Sequence, residues 1–431
     1  MTREALALFG GPKAVTRTFA PYPSVGPAEA AAVAKVFESG ILSGYYGSWG
    51  PEFLGGPLVK KFEAAWSERF RIAHTVSVNS ATSGLIAAMG AVGVTPGSEV
   101  IVPPYTMSAT AVAPLFYGGI PVFVDIEPDT FSLDLEGVKK AITPKTKAII
   151  AVNLFGHPAR LAELRKLADD NGIFLIEDNA QSILAKENDR YAGTIGHISV
   201  FSLNYHKHVH TGEGGMCTTD DEKLALRLQM IRNHGENIVE AVGIDDPTNL
   251  VGQNYRMTEM SAAVGLEQLV RLDEHVERRA RIARALNEAT AGLEGLTPGV
   301  PRSGCTHAYY LWTARVDEAK LGVSREVFSK ALAAEGFDHF NGYVRPLYLL
   351  PVFQKRVAFG KYPFDLTERT YEKGMCPVTE RMHYRELLCY ETCAYDVDVS
   401  GAEMLGAAIR KVHANRDELR KRAGELVEKP S

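Results

Sequence analysis

The sequence has little of what marks several classes of protein. Basic residues are not in excess: 47 Lys and Arg stand against 52 Asp and Glu, and the formal net charge is −5. This balance gives no electrostatic reason to bind nucleic acid or an anionic membrane. No stretch approaches the roughly 18 apolar residues of a membrane-spanning helix. Residues 1–15 lack a basic segment followed by an apolar one, so we expect no signal peptide and no membrane partner.

Cysteine is also scarce. The five cysteines are odd in number, and their spacings match neither a disulfide framework nor a zinc ribbon; they are Cys217, Cys305, Cys376, Cys389 and Cys393. Reduced thiols in a cytoplasmic protein are the simplest expectation. Internal repeats and low-complexity segments are absent from the sequence as well.

What is present is a chain of average composition with short apolar runs. With 431 residues, of which 45% are hydrophobic and 23% charged, it has room for two or three domains and a large core. Strand candidates lie at residues 98–104, 121–126, 148–155, 173–178 and 198–204. Their nearly continuous apolar character is typical of strands buried on both faces of a mainly parallel sheet. We therefore predict an α/β fold with helices on both faces of the sheet.

Helical segments alternate with these strands and continue after them. Leu161, Leu164 and Leu167 recur at helical spacing before Gly172, a plausible helix stop. A long charged helix is predicted over 267–289, and a solvated helix over 404–429. We predict an N-terminal arm at 1–30, a large domain at 31–270 and a smaller C-terminal α/β domain at 271–431.

Four motifs lie where ligands collect in such sheets, just after a strand. The first is "VSVNSATSGLIAAMGAVG" at 76–93, in which a strand-like run ends at Asn79 and a helix opens near Thr82. Free amides and the positive end of the helix dipole suit a phosphate there. An ordinary serine or threonine helix cap is the alternative.

The second motif is "IFLIEDNAQS" at 173–182, which ends a buried strand on Glu177 and Asp178. A buried carboxylate is costly without a cationic or hydrogen-bonded partner. It either caps the next helix or holds a protonated ring nitrogen.

The third motif, "NYHKHVHTGEGG", spans 204–215 and places Lys207 among three histidines. On an extended strand His206, His208 and His210 would share one face and Lys207 would point to the other. Alternate strand positions lie about 6.6 Å apart at about 3.3 Å per residue, so the histidines would not converge on one ion and we expect no metal. Lys207 is either a surface lysine or a reactive one.

The fourth motif, "PPYTMSA" at 103–109, places Tyr105 just after a strand. Its ring is either a stacking surface for a flat cofactor or an ordinary aromatic at the rim. A phosphate anchor, a carboxylate for a ring nitrogen, an aromatic platform and a lysine are together the requirements of pyridoxal 5′-phosphate.

At this point the chain resembles a known family. "NSATSG", "PPYT", "PVFVDIEPDTFSLD", "EDNAQ", "HKHVHTGEGG", "RNHGE" and "GQNYRMTEMSAAVGLEQL" occur in the order found in DegT/StrS-type aminotransferases, over roughly residues 30–395. The resemblance implies the aspartate aminotransferase-like fold of pyridoxal phosphate fold type I. It also implies a homodimer with shared active sites.

The resemblance further implies a role for individual residues. Lys207 would form the Schiff base, Asp178 would pair with the pyridinium nitrogen, and Gln181 would contact the phenolic oxygen. Tyr105 would stack on the ring. The phosphate would be bound by Thr82, Ser83 and Ser202 and by Asn254 of the partner subunit. The sequence departs from the family at Ala81, where glycine is usual, and at Asn179, where alanine is usual.

The implied function is transfer of an amino group from glutamate or glutamine to a keto-sugar, nucleotide-linked or not, or to a keto-cyclitol. The cofactor would alternate with its pyridoxamine form. The rivals are a pyridoxamine phosphate-dependent sugar dehydratase, whose relatives have histidine in place of the lysine, and a cofactor-binding regulator without turnover. A metal-dependent hydrolase is more distant. The histidines around Lys207 would lower its pKa, contact phosphate or substrate hydroxyls, or only make structural hydrogen bonds.

Overall fold

The computed structural model describes residues 4–426, and in that range the strands form a seven-stranded, a four-stranded and a two-stranded sheet. The strands of this range are β1 His74–Val78, β2 Glu99–Val102, β3 Ile120–Phe123, β4 Thr146–Val152, β5 Phe174–Asp178, β6 Lys186–Glu187, β7 Arg190–Tyr191, β8 Ile198–Ser202, β9 Gly215–Thr219, β10 Leu296–Pro298, β11 Leu311–Val316, β12 Phe340–Asn341 and β13 Leu387–Glu391.

The α-helices of the same range include both long helices and single turns. They are α1 Pro27–Ser39, α2 Pro57–Phe70, α3 Ala81–Ala91, α4 Ala109–Val112, α5 Leu135–Ala141, α6 Leu161–Asp170, α7 Glu222–Arg232, α8 Val239–Val242, α9 Glu259–Val270, α10 Leu272–Thr290, α11 Glu318–Leu321, α12 Arg325–Ala334, α13 Pro351–Gln354, α14 Pro377–Arg381, α15 Val399–Ala414 and α16 Arg416–Leu426. None of the helices within residues 4–426 combines the length and apolar character needed to cross a bilayer.

The central sheet has seven strands in the order β1-β9-β8-β5-β4-β2-β3. Pairing is parallel from β8 through β3, and β9 alone runs antiparallel to its two neighbours. The prediction of a mainly parallel α/β sheet is therefore confirmed. The carboxyl ends of β1, β2, β5 and β8 lie along one edge of this sheet, which is where the sequence motifs end.

Successive residues of the central strands enter different cores. Val100, Ile150 and Ile176 pack with α3 and α7, whereas Ile101 and Leu175 pack with α5 and α6. This alternation between two apolar environments explains why the strands read as continuous apolar runs. Helices thus cover both faces of the sheet, as predicted.

A second, antiparallel sheet follows in the order β10-β11-β13-β12. It packs with α10, α12 and α15 around a core that includes Trp312, Phe328 and Leu405. Leu6 and Val15 from the N-terminal segment enter the same core. The division of the chain at residues 30 and 270 stays a prediction.

Two helix predictions are wrong in detail. The stretch 267–289 belongs to two helices, because Arg271 leaves helical geometry with φ −97° and ψ 7° between α9 and α10. The stretch 404–429 is divided at Asn415, whose side-chain amide bonds the carbonyl of Lys411 at 2.8 Å, a local competition typical of helix ends. The first of these helices, α15, is not solvated but buries Leu405 and Ile409. Residues 427–429 of the predicted helix lie outside the described residues.

Candidate active site

The site is built at the edge where neighbouring strands end. Asp178 is the last residue of β5, and its pairing partner Val200 lies two residues before Ser202 at the end of β8. β1 leads into α3 through Asn79 and Ser80, and β2 leads into the loop that carries Tyr105. Parallel register therefore brings these separate motifs to one crevice.

Asp178 is almost completely buried, with 4% of its surface exposed. One carboxylate oxygen accepts a hydrogen bond from the Thr110 hydroxyl at 2.7 Å, and the other accepts one from the Ala180 amide at 3.2 Å. Burial raises the pKa of Asp178, while Thr110, Ala180 and the positive charge of Lys207 oppose that rise. No helix follows Asp178 directly, so the alternative in which it caps one is wrong.

Glu177, the other acid of the pair, has a different role. Its carboxylate accepts hydrogen bonds from Asn153, from three amides of the turn at 193–196, and from Ser199, at 2.6–3.1 Å. Asn179 donates to the carbonyl of Ala192 and accepts from the same Asn153. The asparagine that departs from the family pattern thus ties the Asp178 loop to the neighbouring turn.

Lys207 lies in a turn and not on a strand. β8 ends at Ser202, and the Lys207 amide bonds the carbonyl of Asn204 at 3.0 Å, which closes the turn. The side-chain nitrogen lies 4.4 Å from the centre of the Tyr310 ring. Burial lowers the pKa of Lys207 to about 8, and the negative charge of Asp178 opposes the shift. A lysine with this pKa has an appreciable neutral fraction near neutral pH and can serve as a base.

The prediction that His206, His208 and His210 share a strand face is wrong, because the turn gives each a different environment. His206 is exposed beside Tyr205, whereas His208 donates to the carbonyl of Ala308 at 2.8 Å. His210 pairs with the hydroxyl of Ser24 at 2.7 Å. Among residues 4–426, no three His, Cys, Asp or Glu side chains are grouped to hold a metal ion.

The buried histidine does not act as a cation on Lys207. Burial lowers the pKa of His208 to about 3, so this ring is neutral at physiological pH. Burial of Lys207 itself is the main cause of the low pKa of its amine. The hypothesis that His208 lowers that pKa through its charge is therefore wrong.

The start of α3 is the candidate anion site. Ser80 is its N-cap, and the Ser80 hydroxyl accepts from the Ser83 amide at 3.1 Å. The Ser83 hydroxyl is buried and donates to Asn79, so Ser83 shapes the turn from inside. Thr82 is exposed, and within the described chain the amides of Ala81 and Thr82 donate to no protein acceptor. Two free amides at a helix N-terminus suit a phosphate.

Ser202 lies beside this anion site. It pairs with Gly215 across β8 and β9, and a Cβ atom on Gly215 would lie 2.8 Å from the Ala81 nitrogen. Only glycine allows this close approach, which joins the end of β8 to the start of α3. The predicted phosphate ligands Thr82 and Ser202 are thus brought together.

Two rings form an aromatic wall near Asp178: Tyr105 in the loop after β2 and Tyr343 in the segment after β12. Gln181 accepts from the Phe155 amide at 2.8 Å and donates to the Tyr343 hydroxyl at 2.9 Å. The Tyr343 ring meets Tyr105 edge to face, with ring centres 6.1 Å apart. Tyr105 is fully buried, and its hydroxyl has no partner among the described residues. Stacking of Tyr105 on a cofactor ring stays a prediction.

Asn254 lies next to the anion site of its own chain. Its carbonyl accepts from the Asn79 side chain at 3.3 Å, and its exposed side chain accepts from Arg256 at 2.8 Å. It does not cap the following helix, because Thr258 is the N-cap of α9.

Three residues around the site escaped sequence reasoning: Thr110, Tyr310 and Tyr343. Thr110 lies four positions after the "PPYT" motif, and a polar residue so close to that motif could have been predicted to face the site. Tyr310 and Tyr343 approach from the second sheet, at separations of 103 residues from Lys207 (310 − 207) and 162 from Gln181. No local pattern marks such partners.

This set of residues fits pyridoxal 5′-phosphate. The free amides at the start of α3 suit its phosphate, the buried carboxylate of Asp178 suits its ring nitrogen, and the amine of Lys207 suits its aldehyde. These amides, the carboxylate and the amine all lie near the edge of the sheet where β1, β5 and β8 end.

Comparison with known proteins gives the same result. The DegT/DnrJ/EryC1/StrS aminotransferase family matches residues 49–387. The spore coat polysaccharide biosynthesis protein SpsC of Bacillus subtilis is 34% identical over 83% of this chain and 91% of its own. GDP-perosamine synthase of Caulobacter vibrioides is 34% identical over 69% and 79% of the two chains.

Solved structures agree with the sequence matches. An aminotransferase from Psychrobacter cryohalolentis superposes with a TM-score of 0.80 at 28% identity, over 93% of this chain and 100% of its own. The chain therefore belongs to the DegT/DnrJ/EryC1/StrS aminotransferase family, and it is an aminotransferase that uses pyridoxal 5′-phosphate.

Proposed function

We propose that the protein transfers the amino group of glutamate or glutamine to a keto-sugar or keto-cyclitol, in the biosynthesis of an amino sugar or aminocyclitol. The observation that carries the proposal is a partly buried Lys207, whose pKa burial lowers to about 8, within range of the negative charge of the buried Asp178. A base of that pKa suits proton transfer near neutral pH. The bound cofactor supplies an electron sink for the carbon that loses its proton.

Each residue of the site has a role in this proposal. Lys207 would hold the cofactor covalently, and its free amine would carry a proton between carbon atoms. Asp178 holds the protonated ring nitrogen, and Gln181 contacts the phenolic oxygen. Tyr105 flanks the ring. Thr82, the amide of Ala81, Ser202 and Asn254 bind the phosphate, while Ser83 supports the turn through Asn79 and Ser80.

The rivals differ from this proposal at identifiable places. A pyridoxamine phosphate-dependent dehydratase would have histidine at the catalytic position, and the glycines that follow Lys207 fix that position in the sequence. A regulator without turnover would need no proton carrier. Neither rival requires a buried lysine with a lowered pKa beside a buried acid.

A nucleotide-linked sugar is the acceptor that we favour. GDP-perosamine synthase, one of the relatives, carries a nucleotide-linked sugar in its name. The segment 344–356 contains two arginines, Arg345 and Arg356, and Arg356 donates to the carbonyls of Phe364 and Thr367. Arg345 is exposed near His383 at the rim of the aromatic wall and is the arginine free to meet a diphosphate.

A half-reaction screen tests the function. The absorbance of the bound cofactor is followed while glutamate, glutamine and alanine are added, and the pyridoxamine form is then challenged with keto-acceptors. We expect conversion by glutamate or glutamine and recovery by a nucleotide-linked keto-sugar or by a keto-inositol. If no amino donor converts the cofactor, the protein is a regulator. If a nucleotide-linked deoxysugar loses water without gaining nitrogen, it is a dehydratase.

We infer further that two copies of the chain complete each site. The side chain of Asn254 is exposed although its backbone carbonyl contacts the loop before the anion site. Asn233, which pairs with Asn254, also binds the carbonyl of Tyr46 at 2.8 Å. Tyr46 and Val251 in this region are 66% and 70% exposed. A second copy would cover these apolar side chains in a two-fold dimer and receive Asn254 at its own phosphate.

Complementation between inactive variants tests the shared site. Lys207→Ala and Asn254→Asp proteins are unfolded together and refolded, so that mixed dimers carry one intact site. We expect about a quarter of the wild-type activity, because half of randomly formed dimers are mixed and each has one intact site of two. Lys207→Ala refolded with the double variant is the control and should stay inactive. Mixed dimers without activity would show that Asn254 acts within its own chain.

A further inference from the structure

The hydrogen bond between Thr110 and Asp178 involves the carboxylate that is proposed to hold the ring nitrogen of the cofactor. The Thr110 hydroxyl donates to one oxygen of Asp178 at 2.7 Å, and both side chains are buried, with 0% and 4% of their surfaces exposed. Thr110 lies in the single-turn helix α4, which follows the strand β2 and the loop of Tyr105. The two residues are 68 positions apart in sequence.

The carboxylate of Asp178 has few partners that favour its charged form. Its two protein hydrogen bonds come from Thr110 and from the Ala180 amide, and the second is the longer at 3.2 Å. The titratable groups that act on it are Lys207, whose charge favours the carboxylate, and Tyr343, which is neutral at physiological pH because burial raises its pKa to about 12. Glu177 points to the opposite face of β5, where its carboxylate accepts five hydrogen bonds.

We propose that Thr110 is a positioning residue that keeps Asp178 ionised and turns its free lone pairs toward the ring nitrogen of the cofactor. A hydroxyl has one proton to donate. When Thr110 donates it in a hydrogen bond to Asp178, the carboxylate oxygen is the acceptor, as an ionised carboxylate must be. Hydrogen bonds to charged groups are stronger than neutral ones, and they favour the charged state of the acid. The charge of Lys207 would change when its amine holds the cofactor, whereas the neutral donors Thr110 and Ala180 act at every stage, and Thr110 makes the shorter bond, 2.7 Å against 3.2 Å.

The inference rests on the proposed role of Asp178, and it adds a residue that no motif of the site includes. Among residues 4–426, Thr110 has no hydrogen bond to the residues at the start of α3 or to Lys207. Its effect reaches the reaction only through Asp178. The alternative is that the Thr110 hydroxyl only satisfies its own hydrogen bond in the core and has no effect on the ionisation of Asp178.

Two variants at Thr110 separate these possibilities. Thr110→Val keeps the shape and removes the donor, whereas Thr110→Ser keeps the donor. Thr290→Val is the matched control, because Thr290 is equally buried and donates only to the carbonyl of Leu286 in its own helix. We expect Thr110→Val to lower kcat about ten- to a hundredfold, the effect of one hydrogen bond to a charged group. Thr110→Ser and Thr290→Val should stay within a few-fold of wild type.

Readouts other than turnover locate the effect. In the protein without cofactor, the infrared carboxylate band that disappears in Asp178→Asn should titrate at higher pH in Thr110→Val than in wild type. With a cofactor labelled at its ring nitrogen with nitrogen-15, the resonance should move toward the unprotonated form in Thr110→Val and return in Thr110→Ser. An unchanged carboxylate titration in Thr110→Val would overturn the inference.

The double variant Thr110→Val/Asp178→Asn makes the test independent of the proposed function. If Thr110 acts through Asp178, the double variant should be no slower than Asp178→Asn alone, because effects that share one pathway are not additive. A further tenfold loss in the double variant would contradict the inference. Wild-type turnover in Asp178→Asn would instead remove the role of Asp178 itself, so the two failures are distinguishable.

Discussion

Lys207→Ala protein is expected to bind pyridoxal 5′-phosphate without a covalent link and to lose transamination by on the order of ten-thousandfold or more. In the proposed mechanism the substitution removes both the amine that would hold the cofactor and the group that would move the proton, and general acid–base catalysis alone contributes about a hundred- to ten-thousandfold. Borohydride treatment of wild-type protein should fix the cofactor on one lysine. Peptide mapping should place that adduct at Lys207.

Two further variants control for charge and for folding. Lys207→Arg keeps a positive charge near Tyr310 but cannot carry a proton, since a guanidinium stays protonated at any working pH. It should therefore be as inactive as the alanine variant. Lys186 contacts the Tyr191 ring at 4.7 Å, a setting like that of Lys207 but away from the site. Lys186→Ala should keep both the adduct and the activity, whereas an adduct at any lysine other than 207 would contradict the assignment.

The parallel sheet and the edge that carries the site could be predicted from the sequence, because both depend on local patterns. Continuous apolar runs mark strands with two buried faces, and small polar residues mark the start of α3. Each motif followed a strand, so the rule for ligand binding at carboxyl ends was sufficient to bring Asp178, Ser202 and Thr82 together. Their individual roles toward the cofactor stay predictions.

The turn around Lys207 shows where such reasoning stops. Alternating histidines suggested an extended strand, but the Lys207 amide binds back to Asn204 and the chain turns. The separate partners of His208 and His210, Ala308 and Ser24, come from distant segments. Which ring nitrogen finds which carbonyl or hydroxyl is decided by packing between segments, and periodicity carries no information about it.

The same limit applies to the ionisation of the site. A lower lysine pKa was one of three roles that the sequence left open for the neighbouring histidines, whereas burial is the main cause of the low pKa of Lys207 and the buried His208 is itself neutral. The Tyr310 ring, whose centre lies 4.4 Å from the Lys207 amine, belongs to a residue more than a hundred positions away in the sequence. The sequence shows which residues are ionisable, but the burial that sets their pKa values is known only from the fold.

Asp178 provides the second large effect. Asp178→Asn protein is expected to bind the cofactor and to lose turnover by on the order of a hundred- to a thousandfold, as when one preorganised electrostatic group is removed from a transition state. An amide of the same shape still accepts from Thr110, so the local structure should persist. It carries no negative charge, so it cannot hold a proton on the ring nitrogen, and the cofactor withdraws electrons less strongly.

The measurements are kcat for the full reaction and the cofactor dissociation constant, each for Asp178→Asn and for a matched variant. Asp134→Asn is the matched variant. Asp134 caps α5 by accepting from the Gly137 amide at 2.8 Å and has no proposed role in the site. Asparagine caps helices as well as aspartate does. It should leave both quantities unchanged. Asp178→Asn should weaken cofactor binding far less than it lowers kcat, since phosphate binding at α3 is untouched. Near wild-type kcat in Asp178→Asn would show that this buried acid serves only the loop at Ala180, and the electron-sink role would then have no carboxylate to support it.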